Sequence, residues 1–170
     1  GSAALRTAFS SVGAFAFATP TRDAAIYNSA APSGSFSIQI TGKNNATGVA
    51  LAEVYDATPT AAFTASTPRL VNVAARTQVG TGDNILIAGF VVGGSTPVRV
   101  LVRAVGPTLG AFGVGGVLAD PRLTITSEGR TVAENDNWGG TAELKAAFAS
   151  VAAFAFTADN SRDAALVVTL

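Results

Sequence analysis

The chain contains no cysteine, methionine or histidine among its 170 residues. Their absence excludes thiol nucleophiles, imidazole bases and the usual zinc ligands, so we expect no enzymatic activity. Cysteine and methionine are also the side chains that oxidise most readily, and a protein without them suits exposure to oxidants. These absences predict an extracellular or cell-surface protein. No signal peptide opens the sequence, so we expect a mature or internal piece of a longer precursor.

Charge of either sign is scarce, with eleven basic and eleven acidic residues and a formal net charge of zero. No cluster of lysine and arginine supplies the electrostatic footprint of nucleic-acid binding. The apolar stretches are interrupted by glycine, proline or charge well before the roughly 20 residues of a membrane-spanning helix. The sequence therefore predicts neither a nucleic-acid partner nor membrane insertion.

The beginning of the chain reappears near its end. Residues 1–17 align with residues 140–156 at an offset of 139, and Arg22–Ile26 aligns with Arg162–Leu166 after a one-residue slip. One full period with a duplicated edge is typical of a tandem array cut at an arbitrary phase. We interpret the Arg-Asp pair that opens the second match in each copy as structural, because it can satisfy loop carbonyls and backbone N–H groups.

Short strands separated by glycine-rich turns are predicted over most of the chain. Ser35–Thr41 alternates apolar and polar residues, and with Val49–Tyr55 it predicts a β-hairpin. Further strands are predicted at Leu70–Ala75, Asn84–Val92, Val98–Val105, Arg122–Thr126, Thr131–Glu134 and 162–170. Helices are predicted at Ser2–Val12 and Thr141–Val151 from capping residues before alanine-rich runs. The predicted fold is all-β: an antiparallel, jelly-roll-like β-sandwich with one short helix per repeat.

The predicted strand Val98–Val105 has two chemically distinct faces. Arg99 and Arg103 lie an even number of residues apart and so share a face, whereas Val98, Val100 and Val102 lie opposite. We interpret the arginine face as the solvated side of a two-sided sheet.

Composition divides the chain into three parts. Residues 1–56 are predicted to be the C-terminal part of one repeat, 57–69 a Thr/Ala/Pro linker, and 70–170 the N-terminal part of the next repeat. This last part is expected to lack its closing hairpin. Hairpin strands of another copy can complete it by β-augmentation, and head-to-tail completion that does not close into a ring produces a filament. The alternative is a fragment of a longer covalent array.

Five stretches carry a further signal: Thr77–Val92, Val100–Leu109, Leu118–Pro121, Glu134–Trp138 and Thr47–Asp56. They resemble the repeats of very large secreted, multi-repeat surface proteins of environmental bacteria. The resemblance covers nearly the whole chain, and it brings no catalytic residue with it, because such repeats are mostly uncharacterised. More loosely, the order of strands and turns is similar to the β-sandwich modules appended to secreted bacterial peptidases, which often bind matrix polymers or calcium.

Oxygen-bearing side chains gather around one predicted loop: Asp120, Glu134, Asn135, Asp136 and Asn137. Hard cations prefer such oxygen ligands, so calcium is the one candidate cofactor at this set, although the sequence as a whole leads us to expect none. The spacing does not match an EF-hand loop. The alternative is that Asn and Asp close turns through their own backbone while Trp138 packs over the end of the sandwich.

Two functions remain open at this level. The first is a structural module of a fibre, stalk or surface layer, with other copies of itself as its partner. The second is a carbohydrate- or matrix-binding module that presents Trp138, Tyr55 and Tyr27 to a polysaccharide. Polysaccharide titration monitored by tryptophan fluorescence distinguishes them.

Overall fold

A computed structural model describes residues 2–170. Gly1, which opens both the repeat alignment and the predicted domain 1–56, lies outside the described residues. The chain divides into two compact units, Gly1–Ala74 and Ala75–Leu170. The finer division, with a separate linker, stays a prediction.

The described residues form two α-helices and four short strands: α1 (Ala3–Val12), β1 (Arg99–Ala104), β2 (Leu123–Ser127), β3 (Arg130–Asn135), α2 (Ala142–Ser150) and β4 (Ala164–Thr169). Short 3₁₀ helices occur at Lys43–Asn45, Thr60–Ala62, Gly82–Asn84 and Pro107–Phe112. All four strands therefore belong to the second unit.

The strands form two separate antiparallel pairs. β1 pairs with β4, and Leu101 lies opposite Val167 in that register. β2 and β3 form a hairpin whose turn contains Glu128 and Gly129, both with positive φ. Two consecutive positive φ angles suit a tight hairpin because they match the twist of the flanking strands.

The predicted all-β, jelly-roll-like β-sandwich is wrong. Residues 2–170 contain two two-stranded sheets rather than two packed multi-stranded ones. The strands predicted at Ser35–Thr41, Val49–Tyr55, Leu70–Ala75 and Asn84–Val92 do not form, and their apolar side chains are exposed. The physical reason is that alternation specifies which side chains share a face, whereas a strand also needs a neighbouring backbone and a surface to cover that face.

Other predicted elements are confirmed. The helices expected at Ser2–Val12 and Thr141–Val151 are α1 and α2. The predicted strands from Val98 to the chain end correspond to β1, β2, β3 and β4 within one or two residues at most boundaries.

The core of the second unit is built around an aromatic cluster. Trp138, Phe148 and Phe156 are buried together with Leu144 and Ala165. The Trp138 ring stacks on Phe148 at 5.6 Å between centroids, and Phe156 meets both rings edge-on. Leu144 and Phe148 lie four positions apart on α2 and so project from one side of the helix. This cluster fixes α2 against the β1–β4 sheet.

Both helices begin and end in the same way. Ser2 and Thr141 cap them, each accepting a hydrogen bond from the N–H three residues later at 3.3 Å. Just after each helix the backbone turns left-handed, at Gly13 with φ 69° and at Ala152 with φ 54°. Glycine adopts this conformation freely, whereas alanine pays a steric cost of roughly 1 kcal/mol.

We expect Ala152→Gly to stabilise the second unit by about 1 kcal/mol, because it removes the steric cost at positive φ. Urea unfolding monitored by the fluorescence of Trp138, the single tryptophan, reports on this unit. Ala149→Gly, an exposed position inside α2, is the matched control and should destabilise by a similar amount. An Ala152→Gly variant no more stable than the wild type would contradict the account.

Candidate functional site

A fully buried carboxylate lies where three segments of the second unit meet. The side chain of Asp163, 0% exposed, accepts hydrogen bonds from the N–H of Gly106 at 2.7 Å and from the hydroxyl of Thr108 at 2.5 Å. The N–H of Thr108 and the hydroxyl of Ser161 also donate to it. Because β4 begins at the next residue, this carboxylate anchors the start of that strand to the turn after β1.

Gly106 is required by the geometry of this turn. A Cβ atom on Gly106 would lie 2.1 Å from the carbonyl oxygen of Leu118, a distance that no side chain tolerates. Glycine therefore lets the backbone pass close to Leu118 while its own N–H points at Asp163. We call Gly106, Pro107 and Thr108 the carboxylate turn.

Burial and hydrogen bonding act in opposite directions on Asp163. Burial alone raises the pKa of this carboxyl group. The hydrogen bonds from Ser161, Thr108 and Gly106 stabilise the charged form more strongly, so the pKa of Asp163 lies below its ordinary value. The site is therefore built for the ionised carboxylate.

Arg103 connects the carboxylate to the aromatic cluster. Its guanidinium carbon lies 4.2 Å from the ring centroid of Phe148 and 4.4 Å from those of Phe154 and Phe156. One of its terminal nitrogens donates to the carbonyl of Phe154 at 2.9 Å. Burial lowers the pKa of Arg103, and the negative charge of Asp163 opposes that shift. A delocalised cation enclosed by aromatic faces holds α2 and its return segment on β1.

The interpretation of the arginine face as solvated is right for Arg99 and wrong for Arg103. Arg99 pairs with Glu143 of α2 at 2.8 Å, and its side chain stays 59% exposed, whereas Arg103 contacts Phe148 of α2. The helix therefore covers this face around Arg103, and Leu101 and Val167 on that face pack against the core. Alternation predicted the two faces correctly, but charge did not identify the exposed one, because aromatic rings can enclose a guanidinium.

The opposite face of the β1–β4 sheet is aliphatic. Val100 lies opposite Val168, and Val102 lies opposite Leu166. All four are half-buried and lie outside the core around Trp138. We call these four residues the aliphatic face. A sheet with apolar side chains on both faces is typical of a layer that is covered on both sides.

The first copy of the repeat reproduces the local structure of the second. Phe9 and Phe17 meet edge-on at 5.1 Å, as their counterparts Phe148 and Phe156 do at 5.0 Å. The hydroxyl of Thr21 donates to the carboxylate of Asp23 and accepts from its N–H, which repeats the bonds between Ser161 and Asp163. The local sequence therefore forms the same two motifs in both places.

The two copies differ in their surroundings. Asp23 is exposed whereas Asp163 is fully buried, and Ile26 is 96% exposed whereas its counterpart Leu166 is half-buried. The first copy thus has the local structure of the second without its burial or its strand pairing.

The residues predicted to bind calcium are engaged with protein partners. Asp120 pairs with Arg162 at 3.2 Å, and Glu134 pairs with Arg122 at 2.9 Å. Asn135 accepts from the N–H of Ala165 and donates to the carbonyl of Asn137, and Asn137 donates to Asp136. Glu134, Asn135, Asp136 and Asn137 line one shallow pocket together with Arg122, whereas Asp120 does not line it.

Within residues 2–170, no group of three or more acidic, cysteine or histidine side chains is close enough to hold a metal ion. The calcium site stays a prediction. The alternative interpretation, that these residues bond the backbone of their own loop, describes the bond from Asn135 to the carbonyl of Asn137, whereas the side-chain oxygen of Asn135 binds β4.

The aromatic residues predicted to bind polysaccharide are not equivalent. Trp138 is 4% exposed and its indole N–H donates to the carbonyl of Ala158 at 3.2 Å. Tyr27 and Tyr55 belong to the first unit and are exposed. Trp138 therefore serves the core, as the alternative interpretation of this residue predicted.

Comparison with protein-family models, with curated protein sequences and with solved structures finds no match for this chain. In the described part of the chain, no helix is long and apolar enough to cross a membrane.

Sequence reasoning identified Asp163 as structural but missed its partners Thr108 and Arg103. The carboxylate turn carries a readable signal, because a Gly-Pro-Thr sequence directly follows a strand. Arg103 carries none, since nothing in a strand sequence indicates that distant aromatic rings will surround an arginine.

The second unit should lose stability as the pH falls below about 4. The pKa of Asp163 is lower in the folded state than in the unfolded state, so its contribution is present above the unfolded value and is lost as the pH falls through the folded one. Asp163→Asn should cost about 1–3 kcal/mol at pH 7 and flatten this acid dependence.

Urea midpoints from Trp138 fluorescence between pH 7 and pH 3 measure both effects. Asp23→Asn is the matched control, because the same substitution is made at an exposed carboxylate. Equal acid dependence of Asp163→Asn and the wild type would refute the assigned role.

Proposed function

We propose that this chain is a non-catalytic extracellular structural module, a subunit or repeat of a fibre, stalk or surface layer, that is completed by β-strands of a neighbouring copy. Its partner is another copy of itself, either a separate chain or the next repeat of a longer one. The resemblance to large secreted repeat proteins and the lack of cysteine and methionine support an extracellular setting.

One observation carries the proposal: the alternating segments predicted as a hairpin expose their apolar faces. Ile38 is 67% exposed and Leu51 is 72% exposed, although both lie in segments with the pattern of half-buried strands. Many large apolar side chains exposed within two neighbouring segments are typical of an interaction site. Extended segments with free backbone groups are the usual donors in β-augmentation.

The second unit offers a surface of matching chemistry. The aliphatic face of the β1–β4 sheet is apolar and half-buried, and β1 and β4 form a sheet of only two strands. A two-stranded sheet is marginally stable unless another element packs on it. A hairpin on the aliphatic face would supply that second layer. Polysaccharide binding is the weaker function, because the largest aromatic platform, Trp138, lies in the core.

The proposal predicts that Ile38→Lys prevents assembly whereas Gln39→Lys does not. Both variants add one lysine to the same segment, but only position 38 lies on the apolar face of the predicted strand. A charge buried in an apolar contact is costly, so regular fibres or large assemblies should be lost in the first variant alone.

Light scattering after size exclusion and negative-stain electron microscopy over a range of concentrations measure the outcome. Trp138 fluorescence verifies that the second unit is folded in each variant. A wild-type chain that stays monomeric at every concentration, or an Ile38→Lys chain that assembles like the wild type, would overturn the proposal.

A further inference from the structure

We infer that the first copy of the repeat, residues 2–28, replaces the second copy, residues 141–168, on the acceptor surface of a neighbouring copy and seats Asp23 in that neighbour's carboxylate turn. The acceptor surface comprises β1, the carboxylate turn and Trp138. This inference rests on the proposed function and specifies which segment and which surface carry out the completion.

The first evidence is preorganisation. The edge-on aromatic pair and the hydroxyl–carboxylate turn already have, in the first copy, the geometry that they have in the second. Both helices have a hydroxyl N-cap, and a left-handed residue, Gly13 or Ala152, follows each at the equivalent position. A segment that is already in its bound conformation loses little conformational freedom on docking.

The second evidence is chemical complementarity. In the second copy, Trp138 and Arg103 pack on the aromatic pair, and the carboxylate turn donates to Asp163. The first copy presents the same pair and the same carboxylate, half-buried or exposed. Exchange re-forms the aromatic and carboxylate contacts of the second copy with equivalent side chains, and re-forming the same contacts is why domain swapping costs little. Along the strand, Tyr27 and Asn28 take the places of Val167 and Val168.

The third evidence is the segment that follows. By the repeat alignment, Ala24–Ser29 corresponds to β4, and the predicted hairpin begins six residues later, at Ser35. Consecutive elements joined by short connections usually lie side by side. A docked first copy therefore brings the hairpin to the β1–β4 sheet, where the aliphatic face is available to it.

Exchange competes with the second copy of the same chain. That copy is tethered to the acceptor surface through Gly139 and Gly140, which gives it a high effective concentration. Exchange should therefore increase with protein concentration and when the second copy is weakened. Asp163→Asn weakens the second copy and leaves the donor Asp23 intact, so it should increase assembly, whereas Asp23→Asn should decrease it.

Engineered cysteines test the register directly, because the natural chain has none. Val98 and Leu170 exchange both backbone hydrogen bonds. Leu101 and Val167 are consequently a non-hydrogen-bonded pair about 4.5 Å apart at Cα, and Val100 and Val168 are a hydrogen-bonded pair about 5.5 Å apart. Both separations suit a disulfide.

The counterparts of Val167 and Val168 in the first copy are Tyr27 and Asn28. Four mixtures are oxidised, each combining one chain with Leu101→Cys or Val100→Cys and another chain with Tyr27→Cys or Asn28→Cys. Leu101→Cys should cross-link to Tyr27→Cys and not to Asn28→Cys, and Val100→Cys should show the reverse preference. Because the cysteines are on separate chains, every covalent dimer joining the two is intermolecular, and the Val100 pair remains informative if the core substitution at Leu101 impairs folding.

Several-fold more covalent dimer in the matched mixtures than in the mismatched ones is the expected result. Equal yields, or no cross-link where wild-type fibres form, would overturn the exchange while leaving the proposed function intact. In that case Ile38→Lys still abolishes fibres, but Asp23→Asn and Asp163→Asn leave them unchanged. Absence of both fibres and cross-links would reject the inference and the proposed function together.

Discussion

The buried carboxylate of Asp163 holds together the parts of the second unit that are distant in sequence. The carboxylate accepts hydrogen bonds from the turn after β1 and from Ser161. The backbone carbonyl of Asp163 accepts a further one from the N–H of Trp138 at 3.0 Å. A buried charge with these donors is stable, but the same charge without them would be costly. The position of β4 therefore depends on the ionised side chain of Asp163. The β1–β4 sheet, on which α2 and the aromatic cluster pack, loses stability when that charge is neutralised.

Comparing the two copies of the repeat shows which features the local sequence determines and which depend on tertiary contacts. Helix capping, the edge-on phenylalanine pair and the hydroxyl–carboxylate turn form in both, since each needs only residues close in the chain. Burial and strand pairing occur only where Arg103, Trp138 and the carboxylate turn are present. The first copy is therefore folded locally but largely exposed, and the proposed completion by a neighbouring copy would bury it.

The elements that the sequence predicted correctly are the two capped helices and the strands that follow Val98, which have neighbouring strands to pair with. The sandwich was wrong because Ile38 and Leu51 indicate an apolar face without indicating what covers it. Arg103 was assigned to solvent because a charged residue in a strand usually is exposed, and only the three surrounding rings reverse that expectation. The structural role of the Arg-Asp pair could be predicted from its recurrence, but the donors around Asp163 could not.

Hydrogen–deuterium exchange of residues 24–55 tests completion by a neighbouring copy most directly, because it reports together on the backbone of Ala24–Asn28 and of the predicted hairpin. In the dilute chain these amides lack strand partners and should exchange rapidly. In the assembled form the account predicts strong protection of Ala24–Asn28 and of alternate amides in Ser35–Thr41 and Val49–Tyr55. Rapid exchange of these segments in assembled material, or the absence of any assembly in which to measure them, would contradict it.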